Sequence, residues 1–265
     1  MFGLRGSDTA GGREPVIALV AVAMLLFVVT CSAVGIRLLW LAKSGGGRPA
    51  LLCGNGFCLI AILGFPLGVL SGQGSEPAAE VLLPLAAVSL LANLLGISSF
   101  FLFTVAVFRP SALWAHTLAG AAIACMGMAA IAIVAAIALA PPTASSFAVT
   151  RGWSGTFDAM CVLCFGWIGF EGFREWWISR RRLALGLSDP VASNRLLMWG
   201  VFGISTTLMY LVLLGVLLSG TPTATSVLAQ LSQALFGLLS SGAVALAFFP
   251  PPAYLARLRR PTLAA

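Results

Sequence analysis

Three short motifs each occur twice in this chain, in the same order along the sequence. Every copy lies at the end of a long apolar segment. The pairs are Gly35-x-Arg37-x-x-Trp40 and Gly172-x-Arg174-x-x-Trp177, Gly68-Val69-Leu70-Ser71-Gly72 and Gly215-Val216-Leu217-Leu218-Ser219-Gly220, and Phe108-x-Pro110-x-Ala112-x-x-Ala115 and Phe249-x-Pro251-x-Ala253-x-x-Ala256. This order predicts that a unit of three segments was duplicated around one linker segment.

The composition predicts that these segments are membrane-spanning helices. Sixty per cent of the 265 residues are hydrophobic and only 9% are charged, and the mean hydropathy is +1.03. A helix needs about 20 mostly apolar residues to cross a bilayer. Segments that meet this length lie at roughly 16–42, 50–71, 80–108, 113–140, 153–177, 196–219 and 226–249. We therefore expect an all-α integral membrane protein, a bundle of seven transmembrane helices.

The basic residues predict the orientation of this bundle. In a seven-span arrangement, 12 of the 15 lysines and arginines fall on one side, and only Arg5, Arg13 and Arg151 fall on the other. The positive-inside rule then places the N-terminus outside and the C-terminus inside. This bias also explains the net charge of +7, so we do not expect a nucleic-acid partner. The run Arg180–Arg182 is expected to contact anionic lipid headgroups.

The predicted organisation is a single transmembrane domain with short ends. Two triplets in a 3+1+3 order run in the same direction through the membrane, as parallel repeats. The boundaries are an extracytoplasmic segment 1–15, a seven-helix domain 16–250 and a cytoplasmic tail 251–265; within the domain, repeat 1 covers about 16–112, the linker helix 113–140 and repeat 2 about 150–253.

The 3+1+3 order resembles the transporter–opsin–receptor group, which includes the PQ-loop and SWEET carriers and the microbial rhodopsins. Two features depart from that group: the chain has no Pro-Gln pair, and its only lysine, Lys43, is not on the seventh span, which excludes a retinal protein. The stretches Asn194-Arg195-Leu196-Leu197-Met198-Trp199-Gly200 and Phe248-Phe249-Pro250-Pro251-Pro252 are similar to uncharacterised bacterial seven-helix proteins, some of them sensor-like. This resemblance implies a multi-pass protein of the cell membrane, namely the bacterial inner membrane.

Residue types that carry most enzyme and metal chemistry are scarce. His116 is the only histidine, so a bis-histidine haem is excluded and a histidine-rich metal site is not expected. Cys161-x-x-Cys164 has the spacing of a redox motif, but it lies inside an apolar span, where cysteine usually packs as a small hydrophobe. We therefore predict no enzyme activity, no metal and no cofactor.

Polar residues within the spans predict a ligand pocket in the outer half of the bundle. An ionisable group in a membrane is costly, which singles out Asp158 on the fifth span. Tyr210, Gln230 and Gln233 on the last two spans are expected to converge with it, and Asn93 on the third span is expected to form the floor. The alternative is that these groups only bond one another and hold helices together.

A second group of polar residues lies at the inner end of the spans. Glu171 and Glu175 are four residues apart on one helical face, with Arg174 between them, and Arg37 is the equivalent of Arg174 in the other repeat. One interpretation is an inner gate or switch, in which Glu171 pairs with Arg37 or Arg174 differently in two conformations. The alternative is that the arginines reach the lipid headgroups beside an interfacial tryptophan belt.

These features predict a receptor-like or sensory membrane protein. A small ligand of unknown identity binds in the outer half, and a separate cytoplasmic partner reads the inner face. A small-solute carrier of SWEET-like architecture is an alternative that the repeat favours, whereas the absent carrier motifs oppose it. A structural or assembly subunit of a membrane complex is a third possibility.

Overall fold

The computed structural model describes residues 13–72, 79–139 and 146–259, and these ranges are helical except at short connections. The predicted segments 1–15 and 251–265 fall partly outside them. The helices are α1 Arg13–Leu41, α2 Gly47–Cys58, α3 Phe65–Gly72, α4 Ala79–Phe108, α5 Leu113–Leu139, α6 Ser146–Ala184, α7 Pro190–Leu218, α8 Val227–Phe248 and α9 Pro252–Arg259. Ala42–Gly46 forms the kinked connection between α1 and α2, and a π-helical turn covers Leu59–Gly64.

The length of the helices and the apolar surface of the bundle suit a membrane. Within the described ranges, six helical stretches are long and apolar enough to cross one. Many of their leucines and isoleucines face outwards, as in Leu25 and Ile131, which a lipid environment tolerates and water does not. The stretches are Ala18–Ser71, Leu83–Phe108, Leu113–Leu139, Phe147–Ala184, Pro190–Leu218 and Val227–Phe248. The predicted all-helical membrane bundle is thereby confirmed.

The first of these stretches folds back on itself at two glycines. Gly45 has a φ of 104° and Gly47 a φ of 73°, a region of backbone space that favours glycine because it has no Cβ. The helices on either side then pack against each other: the rings of Phe27 in α1 and Phe65 in α3 are 5.9 Å apart. Helix α1 and the segment α2–α3 therefore form an antiparallel hairpin.

The second arm of this hairpin contains a wide turn next to a proline. Pro66 has no N–H to donate, and its ring crowds the carbonyl one turn earlier, which disrupts the regular helix. The π-helical turn Leu59–Gly64 accommodates this break, and the Phe65 N–H bonds the Ile60 carbonyl instead. The Ser89 hydroxyl on α4 donates to the Gly64 carbonyl at 2.6 Å. A neighbouring helix thus satisfies a backbone group that the break exposes.

Glycines bring neighbouring helices into backbone contact. A Cβ at Gly172 on α6 would lie 2.6 Å from the backbone nitrogen of Gly200 on α7, and one at Gly35 on α1 would lie 3.1 Å from the Gly54 carbonyl on α2. Gly203 on α7 is just as tightly packed against the α6 backbone. Small residues at such crossings allow the dense packing that holds membrane helices together.

The helix ends differ from the boundaries expected from hydropathy. The fifth span was predicted at 153–177, but α6 runs from Ser146 to Ala184 and is 39 residues long. The sixth was predicted from 196, but α7 begins at Pro190, where the Asp189 side chain accepts a hydrogen bond from the Val191 N–H. Helical hydrogen bonding continues past the apolar stretch, because arginine is a good helix former. The connection between these two spans is therefore reduced to residues 185–189.

Replacing Gly203 with alanine tests the α6–α7 crossing. We expect the variant to lose about 1–3 kcal/mol of stability, because the added methyl group would overlap the α6 backbone. Gly215→Ala on the same helix is the matched control, since a Cβ there meets nothing within 4 Å. Thermal unfolding in detergent measures both variants. Equal stability of the two would contradict the close contact.

Candidate functional site

A cavity of about 150 Å³ lies inside the bundle. Helices α1, α4, α6, α7 and α8 and the broken arm α2–α3 all contribute to its wall. Most of the wall is aromatic or aliphatic, and its phenylalanines are Phe27, Phe57, Phe65, Phe100, Phe165 and Phe202. The π-helical turn beside Pro66 contributes Ile60. The irregular arm of the hairpin therefore forms part of the site, as wide turns in helices often do.

Five neutral polar side chains also line the cavity, and all but Gln233 have a polar neighbour among the described residues. The Asn93 amide donates to the Ser89 carbonyl at 3.0 Å. The hydroxyl groups of Thr206 and Ser240 bond each other at 3.0 Å across α7 and α8. The fourth is Tyr210, whose hydroxyl lies near the Cys161 thiol.

The amide of Gln233 differs from the other polar groups of the wall. Gln233 lines the cavity and is part-buried on α8. Among the described residues it has no hydrogen-bonding partner. Its amide carries both a donor and an acceptor, so this group is available to a ligand.

The structure brings together three of the five residues predicted to bind a ligand. Asn93, Tyr210 and Gln233 line one cavity, whereas Asp158 and Gln230 lie outside its wall. The Gln230 amide donates to the Ala224 carbonyl at 2.7 Å, in the connection before α8. Gln230 precedes Gln233 by three residues on α8, so it lies almost one turn closer to the beginning of the helix than the cavity does. The role of all five in ligand binding stays a prediction.

Asp158 shares a helical face with the cavity but not its depth. It lies on α6 two turns before Phe165, which places it about 10 Å further along the helix axis. It is close enough to Cys161 and Tyr210 to interact with them electrostatically. Arg151 does not pair with it, because the Arg151 guanidinium donates to the carbonyls of Leu217 and Leu218 at the end of α7.

Aromatic rings pack between the cavity and the arginine-rich end of the bundle. The ring of Phe202 in the cavity wall lies 5.5 Å from that of Trp199, which stacks on Phe103 at 5.3 Å. Trp199 also contacts Phe248 at the end of α8, at 6.0 Å. Offset and edge-to-face contacts of this kind stabilise a packed cluster. We call Phe103, Trp199, Phe202 and Phe248 the aromatic cluster.

A buried ion pair lies at the arginine-rich end. The Glu171 side chain is 1% exposed, and Arg109 binds it through Nε at 2.7 Å and Nη2 at 3.2 Å. Arg174 adds a contact at 3.3 Å and the Trp167 indole N–H another at 3.3 Å. The hydrogen bond and charge of Glu171 raise the pKa of Arg109. A bidentate arginine of this kind offsets part of the cost of burying a carboxylate.

The four residues predicted to form an inner gate lie in two separate groups. Glu171 pairs with Arg174, and Arg174 also contacts Glu175 at 3.1 Å. Arg37 is elsewhere: it donates to the Phe248 carbonyl at 2.6 Å and lies over the Phe249 ring, 4.9 Å from its centroid. The alternative pairing of Glu171 with Arg37 is therefore absent from the described structure, and a second conformation stays a prediction.

The sequence reasoning missed Arg109 as the main partner of Glu171. That residue lies between Phe108 and Pro110, inside one of the duplicated motifs. The sequence analysis used it only as one of the basic residues that predict the orientation of the bundle. Its position at the end of a span, where snorkelling arginines are common, gave no sign of a buried partner 62 residues later.

The described residues contain no group of three or more His, Cys, Asp or Glu side chains placed to hold a metal ion. Cys161 and Cys164 are free and buried. The Cys164 thiol faces the Ile97 carbonyl at 3.8 Å. These two cysteines therefore act as packing groups between α6 and its neighbours in this structure.

The two arginines on Glu171 are expected to differ in their contribution to stability. Arg109→Gln should cost about 2–3 kcal/mol, because it leaves a buried carboxylate without its bidentate partner. Arg174→Gln should cost less than about 1 kcal/mol, because that side chain is 41% exposed. Thermal unfolding in detergent compares the two. A larger loss at Arg174 would contradict the assignment of Arg109 as the main partner.

No protein-family model, curated protein or solved structure matches the chain. Its resemblance to the transporter–opsin–receptor group therefore stays a prediction.

Proposed function

We propose that the chain is a receptor-like membrane protein that binds a small ligand in the central cavity. The observation that carries this proposal is the wall of the cavity, which draws on α1, α4, α6, α7 and α8 and on the broken arm α2–α3. A ligand that contacts all these helices at once binds one arrangement of the bundle better than another. Such differential binding is what shifts a conformational equilibrium.

The packing between the cavity and the arginine-rich end supports a signalling role. The aromatic cluster joins the cavity wall at Phe202 to Phe248, whose carbonyl accepts the hydrogen bond from Arg37. Phe103 also contacts Phe108, the residue before Arg109, with ring centroids 6.5 Å apart. Dense packing of this kind transmits a displacement from the cavity to the arginines. A separate partner at that end then reads the change.

Seven spans form part of the proposal. The stretch Ala18–Ser71 has 54 residues, and a continuous helix of that length would extend about 80 Å. A bilayer core is about 30 Å thick, so one crossing cannot accommodate it. The reversal at Gly45 and Gly47 supports two crossings. The asymmetry of the basic residues supports an outer N-terminus and an inner C-terminus.

Three matched features support the parallel 3+1+3 repeat. The first-motif glycines, Gly35 and Gly172, both lie at a close backbone contact between the first and second spans of their triplets. In both copies of the second motif the serine bonds a carbonyl three residues earlier. The end of each third span also contacts the first span of the other triplet, through Arg37 with Phe248 and through Glu171 with Arg109.

A small-solute carrier is the second candidate, and the same matched features favour it, because rocking of two repeats is a common carrier mechanism. A carrier must open its site to both sides of the membrane in turn. The aromatic cluster separates the cavity from the arginine-rich end, which favours the receptor-like function. A purely structural subunit would require no cavity.

The proposed topology has a direct test. Reporter tags fused to the two ends of the chain should lie on opposite sides of the membrane, with the C-terminal tag inside, because the chain would cross seven times. Protease accessibility in sealed vesicles of known orientation measures this. Tags on the same side would overturn the seven-span arrangement.

Filling the cavity should abolish ligand binding. Gly237 lines the cavity, and a Cβ there meets nothing within 4 Å. Gly237→Leu should therefore fold normally and occupy the ligand's space. Gly242→Leu is the matched control, because Gly242 lies on the same helix with equally open space but is exposed. Thermal-shift screening of small molecules, with the protein in lipid nanodiscs, should identify compounds that stabilise the unmodified protein and Gly242→Leu but not Gly237→Leu.

Hits that survive in Gly237→Leu would contradict binding in this cavity. The rate at which proteoliposomes recover their volume after osmotic shock, measured with a compound that Gly237→Leu does not bind, then separates the two functions. Absence of faster recovery than in protein-free liposomes is the result expected for a receptor. Faster recovery that Gly237→Leu abolishes would replace the receptor-like proposal with the carrier.

A further inference from the structure

The geometry points to the chemical class of the ligand: a neutral compound with a single aromatic ring and one hydrogen-bonding group, which the Gln233 amide binds. This inference rests on the proposed function, since it concerns the same cavity. Four properties of the cavity lead to it, namely its volume, its lack of charge, its aromatic wall and one unpaired amide.

The volume limits the ligand to about one ring. The cavity measures about 150 Å³, and a cavity of about this volume with an apolar wall is large enough for benzene. A ring with one small substituent therefore fits with little rearrangement. Two fused rings would require neighbouring side chains to move, and in a densely packed interior such displacements are costly.

The wall favours a neutral ligand. The described residues of the wall include no Asp, Glu, Lys, Arg or His side chain, so an ion would lose its hydration without gaining an opposite charge. The carboxylate of Asp158 lies outside the wall, about two helical turns from Phe165. A cationic ligand thus has no carboxylate to pair with inside the cavity.

The arrangement of the rings favours an aromatic ligand over an aliphatic one. Phe57 and Phe100 meet edge to face, with an interplanar angle of 86° and centroids 5.0 Å apart. Phe165 and Phe202 do the same at 89° and 5.7 Å. These pairs present both ring edges and ring faces to the cavity. An aromatic ligand gains edge-to-face contacts with them, which add to the free energy of burying its surface.

The amide of Gln233 supplies the polar contact. The Thr206 and Ser240 hydroxyls bond each other, and the Asn93 amide nitrogen donates to the Ser89 carbonyl, so each of these side chains already has a hydrogen bond. Gln233 has no partner among the described residues and lines the cavity. A ligand hydroxyl can donate to its carbonyl oxygen or accept from its amide nitrogen. A ligand without such a group would leave this amide unpaired.

Binding of a matched series to the protein in lipid nanodiscs tests this class, with empty nanodiscs correcting for partition into lipid. Phenol and toluene have nearly the same shape and differ in the hydroxyl. Cyclohexanol keeps the hydroxyl without the aromatic ring, benzylammonium and benzoate add a charge, and 2-naphthol adds a second ring. We expect phenol to bind about fivefold to tenfold more tightly than toluene, and more tightly than each of the others.

Variants of the two glutamines on α8 locate the polar contact. Gln233→Met keeps the length of the side chain and removes its hydrogen-bonding groups, so the preference for phenol over toluene should disappear. Gln230→Met is the matched control and should retain the preference, because Gln230 lies outside the wall. The effect on the phenol-to-toluene ratio separates a lost contact from a general loss of folding, which would weaken both ligands equally.

Three results would overturn the inference: toluene binding as tightly as phenol, an unchanged preference in Gln233→Met, or equal binding of a charged or two-ring compound. If no compound of this series binds, but other compounds bind and lose their binding in Gly237→Leu, this ligand class is rejected and the proposed function stays intact. If Gly237→Leu weakens the binding of no compound of any class, the proposed function fails as well.

Discussion

The arrangement of this bundle depends on the approach of helix backbones at glycine. Gly172 against Gly200 brings α6 into direct contact with α7, and Gly35 against Gly54 does the same for α1 and α2. In a membrane no hydrophobic force drives helices together, so dense packing of small residues does much of that work. These contacts set the distance between α1 and α2 and the distance between α6 and α7, and all four helices contribute to the cavity wall.

Several polar groups inside the bundle are paired, whereas the buried Ser98 hydroxyl has no partner among the described residues. Ser89 bonds the backbone where Pro66 interrupts the helix, and Arg109 binds the buried carboxylate of Glu171. Each of these contacts removes a cost that the apolar surroundings impose on an unpaired polar group. Gln233 is different, because its amide lacks a partner among the described residues and faces open space. That contrast is the reason to regard the cavity as a site.

Much of the fold could be predicted from the sequence, and less of the site. Hydropathy located the apolar segments, because a membrane requires long apolar helices. It misjudged the ends of α6 and α7, since helical hydrogen bonding continues into polar residues such as Arg180 and begins at an N-cap such as Asp189. Helical spacing grouped Tyr210 with Gln233, which do share the cavity wall. It also grouped Asp158 and Gln230 with them, because spacing defines a face but not the depth at which neighbouring helices meet.

The sequence by itself determined that the chain is a helical membrane protein, that small residues recur at matched positions and that ionisable side chains are concentrated at the ends of the spans. These are local properties, which composition and periodicity express directly. Only the tertiary structure decided that Arg109, rather than Arg37, binds Glu171 together with Arg174. It also decided that, in the described part of the chain, Gln233 lacks a partner whereas Asn93 has one. The pairing of side chains depends on the rotation and relative height of helices far apart in the chain. Packing sets both, and no spacing within one helix encodes them.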